Sequence, residues 1–411
     1  MQFLGYNEKT LKMKMFQNFI FGRAGAEMAK EKKKWWWILG VWAFILYIFI
    51  SARTISEETV LRPRWITSLE SSYSEGSPVS LGDFSVQRGE KPIPFLLGER
   101  FGYVRDDGKF VINQIRRGYI SMSENTWAEY EALPSSIQIM NPLNETVLTI
   151  PDAQGYPLLI DDRIFLVGNE QNSLTALGPG GEELWTHDFP APLTCIDAAG
   201  GFVLAGTLDG VVELLNSSGS LVFTPFEPGG SRLSVILGCA ISRDASRLAI
   251  ISGVDDQRFL LLERAGTENR AAAARWSDQT GVSGDTYKVV YHEFLPGGFR
   301  RPVYISFVDN DAKVAFEKES GLGIYDINSR GSIGIPLEGE ISALDDSGEN
   351  GIIFVVTSQG AKQKRLIVIR YPAFIVNQAP FKSDNAFFAR REGIIYLAGD
   401  LIMASFELEK N

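Results

Sequence analysis

Two histidines, two cysteines and four short acidic runs are the side chains of this 411-residue sequence whose types could carry catalysis or metal binding. His187 and His292 are far apart in the chain and neither has a neighbouring His or Cys. A zinc site draws three or four such ligands, so both are expected to be surface strand residues. Cys195 in PLTCIDA and Cys239 in ILGCAIS occupy similar places in two apolar runs. They are read as buried free thiols on inner strands, with a facing arrangement as the alternative, and neither has a His partner to make it a nucleophile. Asp161-Asp162, Asp255-Asp256, Asp309-Asn310-Asp311 and Asp345-Asp346 lack the D-x-[DN]-x-[DN]-G spacing and distal Glu of a calcium loop, and are expected to be turns. Asn144-Glu145-Thr146 and Asn216-Ser217-Ser218 are glycosylation sequons that matter only in a eukaryotic host. No G-x-S-x-G, P-loop or dinucleotide-binding glycine motif is present. The sequence therefore assigns no catalytic, metal-binding or cofactor-binding residue and no cofactor, and the chain is read as non-enzymatic.

What must hold these residues begins with a membrane segment. Trp35 to Ala52, WWWILGVWAFILYIFISA, is eighteen residues without a charge. As a helix it would span about 27 Å, close to a bilayer core, and it is apolar all round. Lys32, Lys33 and Lys34 stand just outside it and Trp35, Trp36 and Trp37 suit the interfacial belt. A cleaved signal peptide is disfavoured by the 34-residue basic region and by the absence of a small-x-small site afterwards. The formal charge of -10 divides unevenly: residues 1–34 carry eight Lys and Arg against three Glu, or +5, leaving -15 for the remainder. The positive-inside rule then places residues 1–34 as a cytoplasmic basic tail, 35–52 as a signal anchor in the cell's inner membrane and the acidic body outside the cytoplasm, periplasmic in a Gram-negative-like cell. So acidic a body, with no basic stripe interleaved with aromatics, excludes nucleic acid as a partner.

Residues 53–92, rich in Pro, Ser, Gly and charges, read as a linker with a short strand near Val79 to Val86. From residue 93 to 411 the pattern is short apolar runs punctuated by Gly, Asp, Asn and Ser, an all-β signature. Ile164 to Thr186 aligns without gaps, at an offset of 38, with Phe202 to Thr224, matching Gly168 to Gly206, Gly181 to Gly219 and pairing Trp185 with Phe223. The same turn glycine recurs at Gly253, Gly321, Gly360 and Gly399. Another unit is predicted over Lys109 to Ile150, with strands at Phe110 to Ile115, Gly118 to Ser123, Ser136 to Met140 and Thr146 to Ile150. The last unit offers three strands, Asn385 to Ala389, Ile394 to Ala398 and Leu401 to Leu408, with Phe95 to Arg105 as the strand that completes it.

Leu174 to Trp185, LTALGPGGEELW, resembles the repeat of PQQ-like propellers, as in quinoprotein dehydrogenases and an outer-membrane-assembly propeller lipoprotein. Ala240 to Gly253, AISRDASRLAIISG, is similar to the S-x-D-x-x-x-L-A strand pair of WD-repeat propellers. The resemblance implies a single β-propeller over residues 93–411. The repeat count gives about seven four-stranded blades, with six or eight also compatible. Trp185 is expected to wedge its ring between adjacent blades, and Thr267 to Asp285 to project from one face. The family's enzymes hold calcium with acidic and amide residues and often carry a vicinal disulfide, which this chain lacks, so that cofactor site does not carry over. The expected function is a protein-protein interaction scaffold in the cell envelope, with other envelope or membrane proteins as partners and the bilayer contacted through residues 35–52. A sensor or ligand-binding ectodomain is the alternative, ahead of a quinoprotein-like oxidoreductase.

Overall fold

A computed structural model describes residues 39–47, 59–70, 91–160, 162–265, 287–346 and 351–410. The chain divides into two compact units, one of residues 1–58 with Asn411 and one of Thr59–Lys410. In the first, residues 39–47 form helical backbone with Trp42, Phe44 and Tyr47 each more than 60% exposed. Among the described residues no helix is long and apolar enough to cross a membrane. The expected 35–52 span extends beyond the described residues on both sides, as do the tail of 1–34, the strand near Val79 to Val86 and the insertion of Thr267 to Asp285.

The second unit is all-β, and its described strands form eight antiparallel sheets. Blade 1 is Ile93–Leu97, Arg100–Val104 and Phe110–Ile115; blade 2 is Tyr119–Met122, Trp127–Tyr130, Ser136–Met140 and Thr146–Pro151. Blade 3 is Gly155–Ile160, Arg163–Gly168, Ser173–Leu177 and Glu183–Asp188. Blade 4 is Leu193–Ala199, Phe202–Thr207 and Val212–Leu215, with bridges Leu215 to Leu221 and Val212 to Phe226 marking an irregular fourth edge. Blade 5 is Ile236–Ile241, Arg247–Ser252, Arg258–Arg264 and Tyr287–Phe294; blade 6 is Ile305–Val308, Lys313–Lys318, Gly321–Asp326 and Gly331–Pro336. Blade 7 is Glu340–Asp346, Ile352–Gln359, Gln363–Arg370 and Phe374–Lys382. Blade 8 is Phe387–Arg391, Ile394–Gly399 and Ile402–Lys410, completed on its outer edge by Thr59–Ser68.

The core follows from the period of two along each strand. In Arg247–Ser252, Leu248 and Ile250 belong to an apolar cluster with Leu204, Val212 and Leu214 of blade 4. The intervening Ala249 and Ile251 join Val314, Phe316 and Tyr325 of blade 6. A strand buried on both faces carries no polar alternation, which is why this run reads as uninterrupted apolar residues. Eight such clusters are described, one between each pair of neighbouring blades, including Phe95 and Val104 of blade 1 with Tyr396 and Met403 of blade 8. The core is thus a ring of eight wedges, and the first strands of blades 4, 5 and 6 approach one another in succession.

Eight blades replace the expected seven, for identifiable reasons. Phe110–Ile115 is the outer strand of blade 1, not a partner of Ser136–Met140, and the missing strand of blade 2 is Trp127–Tyr130. Phe95 to Arg105 does not complete the last blade; it lies in a hairpin of blade 1. The completing strand comes from the expected linker of 53–92, where Thr59–Ser68 pairs antiparallel with Ile402–Lys410 over its full length, with one irregularity between Pro63 and Trp65. Over eight units the 319 residues of 93–411 average about 40 each, still a propeller period. Blade 1 has a further feature: only three residues separate Ile115 from Tyr119, which begins the first strand of blade 2. Its three described strands therefore run in the directions of the second, third and fourth strands of the other blades.

Candidate interaction face

Strand directions give the ring two ends. The turn between second and third strands and the connection to the next blade lie at one, the connection end; the other two turns lie at the hairpin end. The six recurrent glycines, Gly168, Gly206, Gly253, Gly321, Gly360 and Gly399, all stand at the second-to-third turn of blades 3 to 8.

The residues singled out for chemistry are distributed among blades. His187, on the last strand of blade 3, is not a free surface residue: its Nε2 lies 2.6 Å from Oε2 of Glu213 on the third strand of blade 4, a carboxylate itself almost wholly buried. His292 is exposed on the outer strand of blade 5, as expected. Cys195 and Cys239 sit on the first strands of blades 4 and 5, both free. They face one another, and Cys195 together with burial pushes the Cys239 thiol up, away from reactivity. Asp255-Asp256 and Asp309-Asn310-Asp311 are turns. The latter has three consecutive left-handed residues, and Asp311 Oδ2 accepts the Arg243 N–H at 3.0 Å, tying the hairpin end of blade 6 to that of blade 5. Asp345-Asp346 instead ends a strand, the first of blade 7, and Asp161 lies outside the described residues. Among the described residues no group of three or more His, Cys, Asp or Glu is placed to hold a metal ion. Asn144-Glu145 and Asn216-Ser217-Ser218 lie in loops, Thr146 opening the fourth strand of blade 2; Asn216 Oδ1 accepts the N–H groups of Ser218 and Ser220 at 2.9 and 3.0 Å.

Trp185 does wedge between blades. Its ring stands 6.0 Å from Phe165, and its Nε1–H donates to Ser217 O in blade 4 at 3.1 Å. A Cβ on Gly219 would lie 2.6 Å from that ring. Trp65, on the strand that stands where a linker is expected, repeats this: Nε1–H donates to Asp106 O at 2.8 Å and Gly108 takes the place of Gly219. In the Ser242 to Arg247 turn, burial opposes ionisation of Asp244, yet the N–H and hydroxyl of Ser246 and the Ser242 hydroxyl hold its carboxyl below the usual range. These motifs fasten blades and hairpins, and none opens a site.

What the sequence did not reveal lies at the connection end. Ile115, Leu133, Leu208, Leu233, Phe294 and Leu401 are all more than half exposed there, as are Val147, Leu184 and Phe374 toward the hairpin end. Tyr119, Tyr130 and Tyr156 form a stack across blades 2 and 3 with centroids 5.7 and 6.1 Å apart, and burial raises the Tyr130 and Tyr156 phenols. On the blade-7 sheet, beside the connection from blade 6, is a cleft of about 410 Å³ whose lining includes Glu338, Thr357, Gln359, Gln363, Lys364, Arg365 and Lys382. Beneath it, Arg301 pairs through both guanidinium nitrogens with Glu317, at 2.7 and 3.1 Å; that carboxylate is almost wholly buried and also accepts the Ile341 N–H of blade 7 at 3.4 Å. Such an arrangement sets charged and amide groups around an open cleft.

Comparison with known proteins agrees with the ring. A family profile described as beta-propeller protein matches residues 27–411. An uncharacterized protein of Treponema pallidum (strain Nichols) is 24% identical over 379 residues, covering 92% of this chain and 95% of that protein. The crystal structure of BamB from Moraxella catarrhalis superposes with a TM-score of 0.51 at 10% identity, covering 85% of this chain and 100% of that one. At that identity the likeness is one of fold.

Proposed function

Since the chain belongs to this family of β-propeller proteins, we propose that it is a membrane-anchored propeller acting outside the cytoplasm as a docking scaffold for other envelope proteins, without catalysis of its own. The observation that carries the proposal is the connection end, where large apolar side chains from blades 1, 2, 4, 5 and 8 stand open on a rigid closed ring. Exposed apolar surface marks protein or membrane interaction sites and ligand grooves, and loops on a rigid scaffold carry binding. Support for the anchor is the uncharged 35–52 run, the exposed apolar residues of its 39–47 helix and the +5 flank that precedes it.

Crosslinking followed by affinity purification of the full chain from detergent-solubilised membranes tests the scaffold. A stoichiometric partner is expected, lost on replacing Leu133, Leu208 and Leu233 together by Ser; recovery of the chain alone under gentle detergent would overturn it. Resistance of the full chain to carbonate extraction, and its loss on deleting residues 1–58, tests the anchor.

A further inference from the structure

We propose that the cleft on the blade-7 sheet recognises an extended acidic segment of the docked partner, with carboxylates on alternate residues; this rests on the scaffold reading above. The argument starts from register. Thr357 pairs with Arg365 and Arg365 with Pro380, while Gln359 pairs with Gln363 and Gln363 with Lys382. Residues two apart on a strand point the same way, so these are two successive rungs on one face of the blade-7 sheet. That face looks toward blade 6, since Ile353 and Val355, in phase with Thr357, pack against Ile324 and Ile335.

The two rungs place a guanidinium, an ammonium and two side-chain amides around one cleft of about 410 Å³, within the usual size range of binding pockets. Of these groups only Arg365 has an ionic partner: Glu338, on the connection from blade 6, stands 3.6 Å from its Nη2 with its own side chain 69% exposed. The ammonium of Lys382 and the amides of Gln359 and Gln363 have no side-chain hydrogen bond or ion pair among the described residues. Glu338 shows which chemistry the Arg365 end accepts, a carboxylate, held by a contact too exposed to be worth much and therefore open to exchange. Arg365 and Lys382 lie one rung apart, about 7 Å along the strand direction, the spacing of side chains i and i+2 in an extended peptide. A segment running along the rungs would set one carboxylate on Arg365 in place of Glu338 and the next on Lys382. Its backbone carbonyls would face the Gln359 and Gln363 amides. On a body whose charge is -15, a site lined by three cations, Lys364 being tied to the Ser358 hydroxyl at 2.6 Å, and only one competing carboxylate selects an acidic partner segment by charge.

The test uses full-length protein in detergent and a fluorescein-labelled Ser-Glu-Ser-Glu-Ser-Glu peptide read by anisotropy. Saturable binding is expected. It should weaken about tenfold in the Arg365→Gln/Lys382→Gln variant and strengthen several-fold in Glu338→Gln, which removes the internal competitor, with melting temperatures unchanged. A Lys109→Gln control on blade 1 should bind as the parent does. Absence of binding, equal binding of the Gln-for-Glu peptide, no loss in the double variant, or displacement by inorganic phosphate as effective as by unlabelled peptide would each overturn the proposal. The two readings separate cleanly. A partner captured equally by parent and double variant leaves the scaffold standing and removes the cleft, whereas peptide binding without any captured partner does the reverse.

Discussion

Trp185 and Trp65 use one device twice: an indole on an outer strand donates to a turn carbonyl of the next blade and lies flat on a glycine two residues later. At Gly219 the backbone has φ +75°, so a side chain there meets both a strained conformation and the ring. Trp185→Phe should cost about 1 kcal/mol through the lost hydrogen bond, and Gly219→Ala about 1–3 kcal/mol through strain and clash. In a double-mutant cycle by urea unfolding, Gly219→Ala should cost less when Trp185 is already Ala; strict additivity would show that the ring and the glycine do not act together. Arg301 and Glu317 set a harder constraint, because the carboxylate is buried and paired through both oxygens. Arg301→Ala leaves that charge alone and should destabilise by about 3–5 kcal/mol, while Arg301→Lys recovers only part of the loss because one ammonium cannot replace a bidentate fork. Denaturant midpoints of the two variants check this.

Blades differ in how openly their sequences announce them. The 38-residue repeat coincides with the second, third and fourth strands of blades 3 and 4, and the turn glycines mark one turn per blade from 3 to 8. Blade 2 makes that turn with Glu131-Ala132-Leu133-Pro134-Ser135 and no glycine, and its second strand is Trp-Ala-Glu-Tyr, so its sequence is indistinct from the outer strand of blade 1 beside it. Thr59–Ser68 was unreadable for another reason. As an outer strand it buries little, and Arg62, Pro63 and Arg64 break any apolar run. The cleft was hidden because Gln363 and Lys382 are neighbours only through cross-strand register, which no spacing in the chain encodes. Blade 6 carries a pH dependence. Asp326 accepts the Ser329 N–H at 2.8 Å and, against some burial, faces Lys313 at 3.4 Å, which holds its carboxyl below the usual carboxylate range. A depressed folded-state value means that its stabilisation is complete above about pH 4 and is lost as pH falls through that value. The melting temperature should therefore hold down to about pH 4 and drop as the pH is lowered further, and Asp326→Asn should flatten that limb while lowering stability at pH 7. An unchanged acid limb in the variant would assign the dependence elsewhere.

At the scale of the whole molecule, the ring depends on one seam, the pairing of Thr59–Ser68 with Ile402–Lys410. Deleting residues 1–58 should leave the melting temperature of the body within a degree or two, whereas deleting residues 1–68 should open blade 8, expose an unpaired strand edge and promote association, read by light scattering. Equal behaviour of the two truncations would mean that the seam does not close the ring. The partners in that seam are about 350 residues apart in the chain, and closing so long a loop is entropically costly and slow. During synthesis Thr59–Ser68 emerges long before its mate and stays unpaired until Ile402–Lys410 has followed. Any product that stops short of Ile402 keeps an open edge for the rest of its life, so the fold itself marks a chain without its seam and leaves it exposed to proteolysis.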